Sequence, residues 1–170
     1  MNEASPLAQS IFDESDFWDL SHPLCPLSSP KGLEGFNFFL QWRKKYELAP
    51  AHLSVYEYLS DHGYEWGNLR SEVCTDHPYF IERKLDRLRE IDQFLIGVSF
   101  AQIYLENKLD HVQKQACLAT LKRRMDPKIL ENEEQLKSLS VLYQKFESIK
   151  LLGIHTDMEK TYWDVKYPPK

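Results

Sequence analysis

A chain of 170 residues is long enough for one domain with its own core, or for a small domain carrying an oligomerisation arm. An apolar fraction of 42%, with 13% aromatics, excludes a disordered chain, and no apolar run approaches the roughly 20 residues that span a bilayer. The net charge of −5 sets the chain as a whole against nucleic acid, so any DNA contact has to be local.

The N-terminus is acidic (Glu3, Asp13, Glu14), not basic and then apolar, so it is no secretory signal and the expected location is the cytoplasm. Three cysteines, Cys25, Cys74 and Cys117, cannot all pair and lack metal-site spacing; buried free thiols are expected. Residues 1–29 hold five acids and no Lys or Arg, with Ile11, Phe12, Phe17, Trp18 and Leu20 between them. This is expected to be an acidic N-terminal arm, either mobile and docking on a partner or packed on its own domain.

Ser29-Pro30 starts a helix, Ser as N-cap and Pro in the first turn, and Phe36, Phe39, Leu40 and Tyr46 carry helical spacing to about Leu48. Gly32 and Gly35 weaken its first turn, and its polar side gathers Arg43, Lys44 and Lys45. Pro50 opens a second short helix with Leu53, Tyr56 and Leu59 inward, and Gly63 suits the left-handed position at its end. Residues 64–75 form a third short piece with Trp66, Leu69 and Val73 inward. Two short helices around a glycine turn are the ingredients of a helix-turn-helix.

Asp76 and Pro78 then open the longest amphipathic run of the chain. Ile81, Leu85, Leu88, Ile91, Leu95 and Val98 step by threes and fours, and the helix is expected to reach about Glu106. Gly97 within it suggests close approach of a neighbouring helix. Asn107-Lys108-Leu109 turns the chain and Asp110 is placed to cap the next helix, whose apolar face is Val112, Ala116, Ala119 and Leu121. Lys122, Arg123 and Arg124 end it, where the helix dipole favours cations. Asp126-Pro127 separates it from a helix over 127–152 with Leu136, Leu139, Leu142, Tyr143 and Phe146 inward and Gly153 after it. The tail, 154–170, brings Tyr162, Trp163, Val165 and Tyr167 together as a short strand or extended clamp that packs on this subunit or a neighbour.

No phosphate loop or glycine fingerprint occurs. Cys74-x-x-His77 spans half a metal site but has no second pair, and His52, His62, His111 and His155 are isolated; no catalytic, cofactor or metal set is expected. The acids Glu131, Glu133 and Glu134 suit a solvated first helical turn.

The order of elements over about residues 33–125 resembles the small subunits of bacteriophage terminases. PAHLSVYEYLSDHGYEWGNLRSE lies where a helix-turn-helix would be, and HPYFIERKLDRLREID, ENKLD and QKQACLATLKRRM follow as a charged long helix, a polar turn and an alanine-containing helix closing in cations. The helix-turn-helix piece here is acidic, and nothing beyond Met125 is matched. The resemblance implies a non-catalytic homo-oligomeric ring that binds duplex DNA and regulates a separate large-subunit motor. It places Asn68, Arg70 and Ser71 on a recognition helix and makes Arg43, Lys44 and Lys45 auxiliary phosphate contacts. Lys122, Arg123 and Arg124 are a further candidate patch from their charge.

The expected fold is mainly α: a helical bundle with a possible helix-turn-helix over 30–75, a long hairpin plus third helix over 76–153 for packing or oligomerisation, and an aromatic tail. The expected function is a non-enzymatic DNA-packaging or DNA-binding adaptor; the alternative is a helical protein–protein adaptor or regulatory subunit that binds no nucleic acid.

Overall fold

The computed structural model describes residues 4–63, 78–150 and 166–167, the side chains of 78–88 apart. The described residues form six α-helices: α1 Pro6–Ile11, α2 Pro30–Lys45, α3 His52–Asp61, α4 Pro78–Glu106, α5 His111–Arg124 and α6 Glu133–Glu147, with a 3₁₀ turn at Ser15–Phe17. No strand occurs among them, and the fold is a mainly α bundle. The expected third piece at 64–75, the Asp76 cap, the inward Ile81, Leu85 and Leu88, Cys74-x-x-His77, Gly153 and most of the aromatic tail lie outside what is described.

Helix α4 is the axis. α2 crosses it through glycines. A Cβ on Gly97 would stand 1.9 Å from the Gly32 carbonyl oxygen, and one on Gly35 would stand 2.2 Å from that of Phe94. Gly32 and Gly35, read from sequence as weak points of the first turn, are where the two backbones meet. Ser29 does cap α2, accepting from Gly32 N, with Pro30 in its first turn. Beyond the glycines, Phe36 meets Tyr104 edge-on at 5.3 Å, and Arg43 reaches Glu106, so α2 and α4 run in the same direction. α3 ends at Gly63 with φ +80°, the left-handed conformation its position called for. It stacks Tyr58 on Phe94 at a centroid distance of 3.7 Å.

The N-terminal segment is no free arm, as Ala8, Phe12, Phe17 and Cys25 are all buried. Phe12 sits edge-on to Phe17, Phe100 and Phe146 at 5.0 to 5.5 Å, joining α4 to α6. The ends of α1 and α4 cap each other. Ser5 N donates to the Tyr104 carbonyl at 2.9 Å, and Asn107, at φ 58°, accepts from Leu7 N at 2.7 Å. The acids stay outside, Asp13 held by Lys145 at 2.7 Å. Acidity and order coexist because Ala8, Phe12 and Phe17 turn inward while Asp13, Glu14 and Asp19 stay exposed, together with Trp18 and Leu20.

α5 folds back antiparallel to α4 after the expected turn. Its buried face differs from the apolar one expected: it is Gln113, Ala116, Cys117, Thr120, Leu121 and Arg123, while Val112 and Ala119 are half-buried. Asp110 stands at the N-cap but makes no capping bond to its own helix; its carboxylate accepts from Ala51 N at 2.9 Å and so caps α3 instead. α6 starts later than expected, at Glu133 with Asn132 as N-cap, because Asp126 accepts from Lys128 N in a turn. Leu139, Leu142 and Phe146 are its buried stripe, and Glu133 and Glu134 are exposed in its first turn. Lys114 of α5 donates to the Glu147 and Ile149 carbonyls beyond the end of α6. Among the described residues no helix is long and apolar enough to cross a membrane.

Candidate functional site

The cations singled out from sequence have separate fates. Arg43 is 8% exposed. Its Nη1 donates to the carbonyls of Tyr46, Glu47 and Ala49 at 2.9, 3.2 and 2.6 Å, closing the chain reversal after α2, while its Nε faces Glu106. Burial would raise the Glu106 carboxyl, and the Arg43 charge opposes that; the net direction is upward. Lys44 and Lys45 are exposed, with Lys45 over the Tyr46 ring at 4.8 Å.

Half-way along α4, beside Asp92, Arg123 is 1% exposed. Its Nε donates to Asp92 at 3.2 Å, Nη2 meets the second Asp92 oxygen, and Thr120 completes the cluster. A buried carboxylate survives there because its charge and lone pairs are matched. Lys122 is exposed. Asp92 and Glu106, the anchors of Arg123 and Arg43, are fourteen residues apart on α4, or about 21 Å at the rise of an α-helix. The structure therefore brings Arg123 and Arg124 together, keeps Arg43, Lys44 and Lys45 at the far end, and leaves Asn68, Arg70 and Ser71 outside the described residues.

Arg124 differs from its neighbour. Its Nε and Nη1 are buried and have no hydrogen-bond partner among the described residues. Burial is the largest influence on it and disfavours its charge; Asp92 and Glu131 favour it, and Arg89 opposes it. The side chain borders a cavity of about 60 Å³, where Ser28, Ser29 and Gln93 supply polar groups and Leu139 and Leu142 an apolar wall. Cys25 also borders it, buried and unpaired, its thiol pushed up chiefly by burial. Ser28 is exposed, so the cavity opens to solvent on that side.

A second, smaller cavity of about 50 Å³ lies beside Lys31, Tyr58, His62 and Glu90. Lys31 holds Glu34 at 2.7 Å, and the Tyr58 hydroxyl donates to Glu34 at 2.6 Å. Burial first, and Glu34 second, push the Tyr58 phenol up. Sequence reading passed over Ser28, Gln93, Lys31 and Tyr58: none belongs to a motif, and only packing brings them together. Among the described residues no group of three or more His, Cys, Asp or Glu is placed to hold a metal ion. Lys166 pairs with Glu57 at 3.3 Å and Tyr167 is exposed.

No family model, curated protein or solved structure matches the chain.

Proposed function

We propose that this chain is a non-enzymatic helical adaptor or regulatory subunit that acts through protein–protein contacts. The observation that carries the reading is the use made of its buried charge. Arg43 ties a loop to α4, Arg123 ties α5 to α4, and each fork is occupied within the fold. Such pairs hold helices in one relative position, a role suited to a scaffold. They also withdraw two of the arginines that a DNA contact would need, on a chain already at −5.

A second reading, the oligomeric DNA-packaging subunit with duplex DNA and a large-subunit motor as partners, is supported by the helix order α2, α3, α4, α5 and by exposed Lys44, Lys45 and Lys122. Anisotropy of a labelled duplex against salt, with solution mass by light scattering, separates the two. The adaptor reading expects duplex affinity no tighter than about 10⁻⁴ M at physiological salt, the weak end of non-specific binding. Tight binding with a steep salt slope that Lys44→Gln/Lys45→Gln reduces, from a particle of many copies, would refute it and favour packaging.

A further inference from the structure

We propose that the outer face of residues 13–20 docks a basic segment of a partner protein, one that carries arginine beside aliphatic residues. The inference rests on the adaptor reading and adds the chemistry of what is bound. Its centre is Trp18. The indole Nε1 donates to the Phe12 carbonyl at 2.7 Å, and the ring lies 5.5 Å from Phe100 and 6.3 Å from Tyr104, yet 37% of the residue is exposed. Leu20 is 54% exposed, and two residues of chain keep its Cα within about 7 Å of that of Trp18. Phe12 and Phe17, both fully buried, hold the segment from beneath. The apolar face is therefore in place before a partner arrives, which leaves little ordering cost for binding. A tryptophan fixed in this way is the residue type that anchors protein interfaces.

Charge selects the occupant. Residues 4–29 contain Asp13, Glu14, Asp16 and Asp19 and no Lys or Arg. Lys145 offsets Asp13. Among the described residues Glu14 meets no Lys or Arg, Asp16 meets His22 at 3.6 Å, and Asp19 accepts from the Ser21 amide and hydroxyl at 2.9 and 2.7 Å. The face is thus apolar at Trp18 and Leu20 and negative around them. Such a face repels the phosphates of a nucleic acid and the anionic surface of a membrane. A second copy meeting it across a two-fold axis would bring the same acids against one another. A basic protein segment meets complementary charge instead. Arginine suits it better than lysine, because a guanidinium stacks on an indole while giving its N–H groups to carboxylates. Asp16 and Asp19 flank Trp18 in the chain, two residues before it and one after. Aliphatic side chains of the same segment would cover Leu20.

The test is anisotropy of a labelled amphipathic helical peptide of Leu, Ala and Arg, titrated with the full chain. The same peptide with Glu in place of each Arg, and with Lys in place of each Arg, is run beside it. Saturable binding of the Arg peptide is expected, weakening as salt rises, with the Lys peptide weaker and the Glu peptide unbound. Trp18→Ala should weaken binding about tenfold or more. Leu20→Ser and Asp19→Lys should each weaken it about fivefold, and their exposed positions keep the test alive should Trp18→Ala fail to fold. Glu133→Gln/Glu134→Gln, which removes exposed acids at the start of α6, should leave it unchanged. The proposal is overturned if the Arg and Glu peptides bind alike, if Leu20→Ser and Asp19→Lys bind like the parent, or if the α6 variant weakens binding as much as Asp19→Lys. It is also overturned if light scattering shows the chain alone pairing and Leu20→Ser restores the monomer, since a second copy then covers the face. A chain that binds neither peptide nor duplex DNA loses this face and keeps the adaptor reading.

Discussion

Gly97→Ala inverts a familiar expectation. In an exposed helix interior the change stabilises by about 1 kcal/mol, because alanine has the higher helix propensity. At position 97 the added Cβ would stand 1.9 Å from the Gly32 oxygen and 2.7 Å from its carbonyl carbon. Ordinary contact begins near 3.4 Å, so α2 must retreat by roughly 1.5 Å at this point. The obstacle is backbone, which no rotamer change can move aside. Overpacking of this kind costs about 1–3 kcal/mol and more where relaxation is blocked. With the upper figure and the propensity credit, Gly97→Ala should destabilise by about 2 kcal/mol, a fall in Tm of roughly 4–8 °C for a domain of this size. Gly35→Ala, 2.2 Å from Phe94 O, should follow closely, and Gly32→Ala, 2.8 Å from Pro26 O, should cost less. Urea unfolding followed by far-ultraviolet dichroism, with an unchanged m-value, gives the comparison. A neutral or stabilised Gly97→Ala would refute the crossing of α2 and α4 at this distance.

Three further outcomes follow from named contacts. Arg123→Met should cost about 3–5 kcal/mol by stranding the buried Asp92, and Asp92→Leu/Arg123→Met should regain most of that in urea denaturation. Asp110→Ala should cost about 1 kcal/mol, as a lost helix cap does, and should speed hydrogen exchange at the Ala51 amide across the fold. Burial would raise the Glu34 carboxyl, but the hydrogen bonds from Lys31 and Tyr58 outweigh it and hold it below its ordinary 4.5. A folded value below the unfolded one stabilises fully above pH 4.5, and that stabilisation is lost as pH falls through the folded value. Glu34→Gln should therefore flatten the acid limb of the stability–pH curve below pH 4.5.

Much of the helix order was legible because it is written in local signals. Ser29-Pro30 started α2, Gly63 took its left-handed turn and Asn107 reversed the chain. The misreadings share one cause, which is that a local signal does not say what lies opposite it. Gly32 weakens an isolated helix but admits a neighbour's backbone when Gly97 faces it. For the acidic N-terminus both a docking arm and a packed extension were open, and Phe12 between Phe100 and Phe146 decides for the second. Lys122, Arg123 and Arg124 look like one patch on charge alone. In the fold one is exposed, one is paired with Asp92 and one borders a cavity, because consecutive residues on a helix point about 100° apart. Ser28 and Gln93 meet Arg124 from distant parts of the chain, so the candidate site left no trace in any motif.

The face of α5 shows what spacing alone leaves undecided. Val112, Ala116 and Ala119 step by four and three, and Gln113, Cys117 and Thr120 take the same steps one residue later; spacing alone does not choose between the two stripes, and it is the second that is fully buried. On α4, Asp92, Ser99 and Gln102 step by seven and three. The stripes meet: Gln113 Nε2 donates to Ser99 at 2.7 Å, Thr120 and Arg123 reach Asp92, and Gln102 Oε1 accepts from Asp110 N at 3.0 Å. Sliding α5 by one turn, about 5.4 Å, would break these three meetings at once. At about 1–3 kcal/mol for each buried group left unmatched, the slip costs roughly 3–9 kcal/mol, comparable to the whole stability of an ordinary domain. The aliphatic contacts of α6 on α5 impose no comparable penalty, since apolar surface accepts many registers. The register of the hairpin therefore rests on its polar seam, and with it the position of Arg124 at the edge of the cavity.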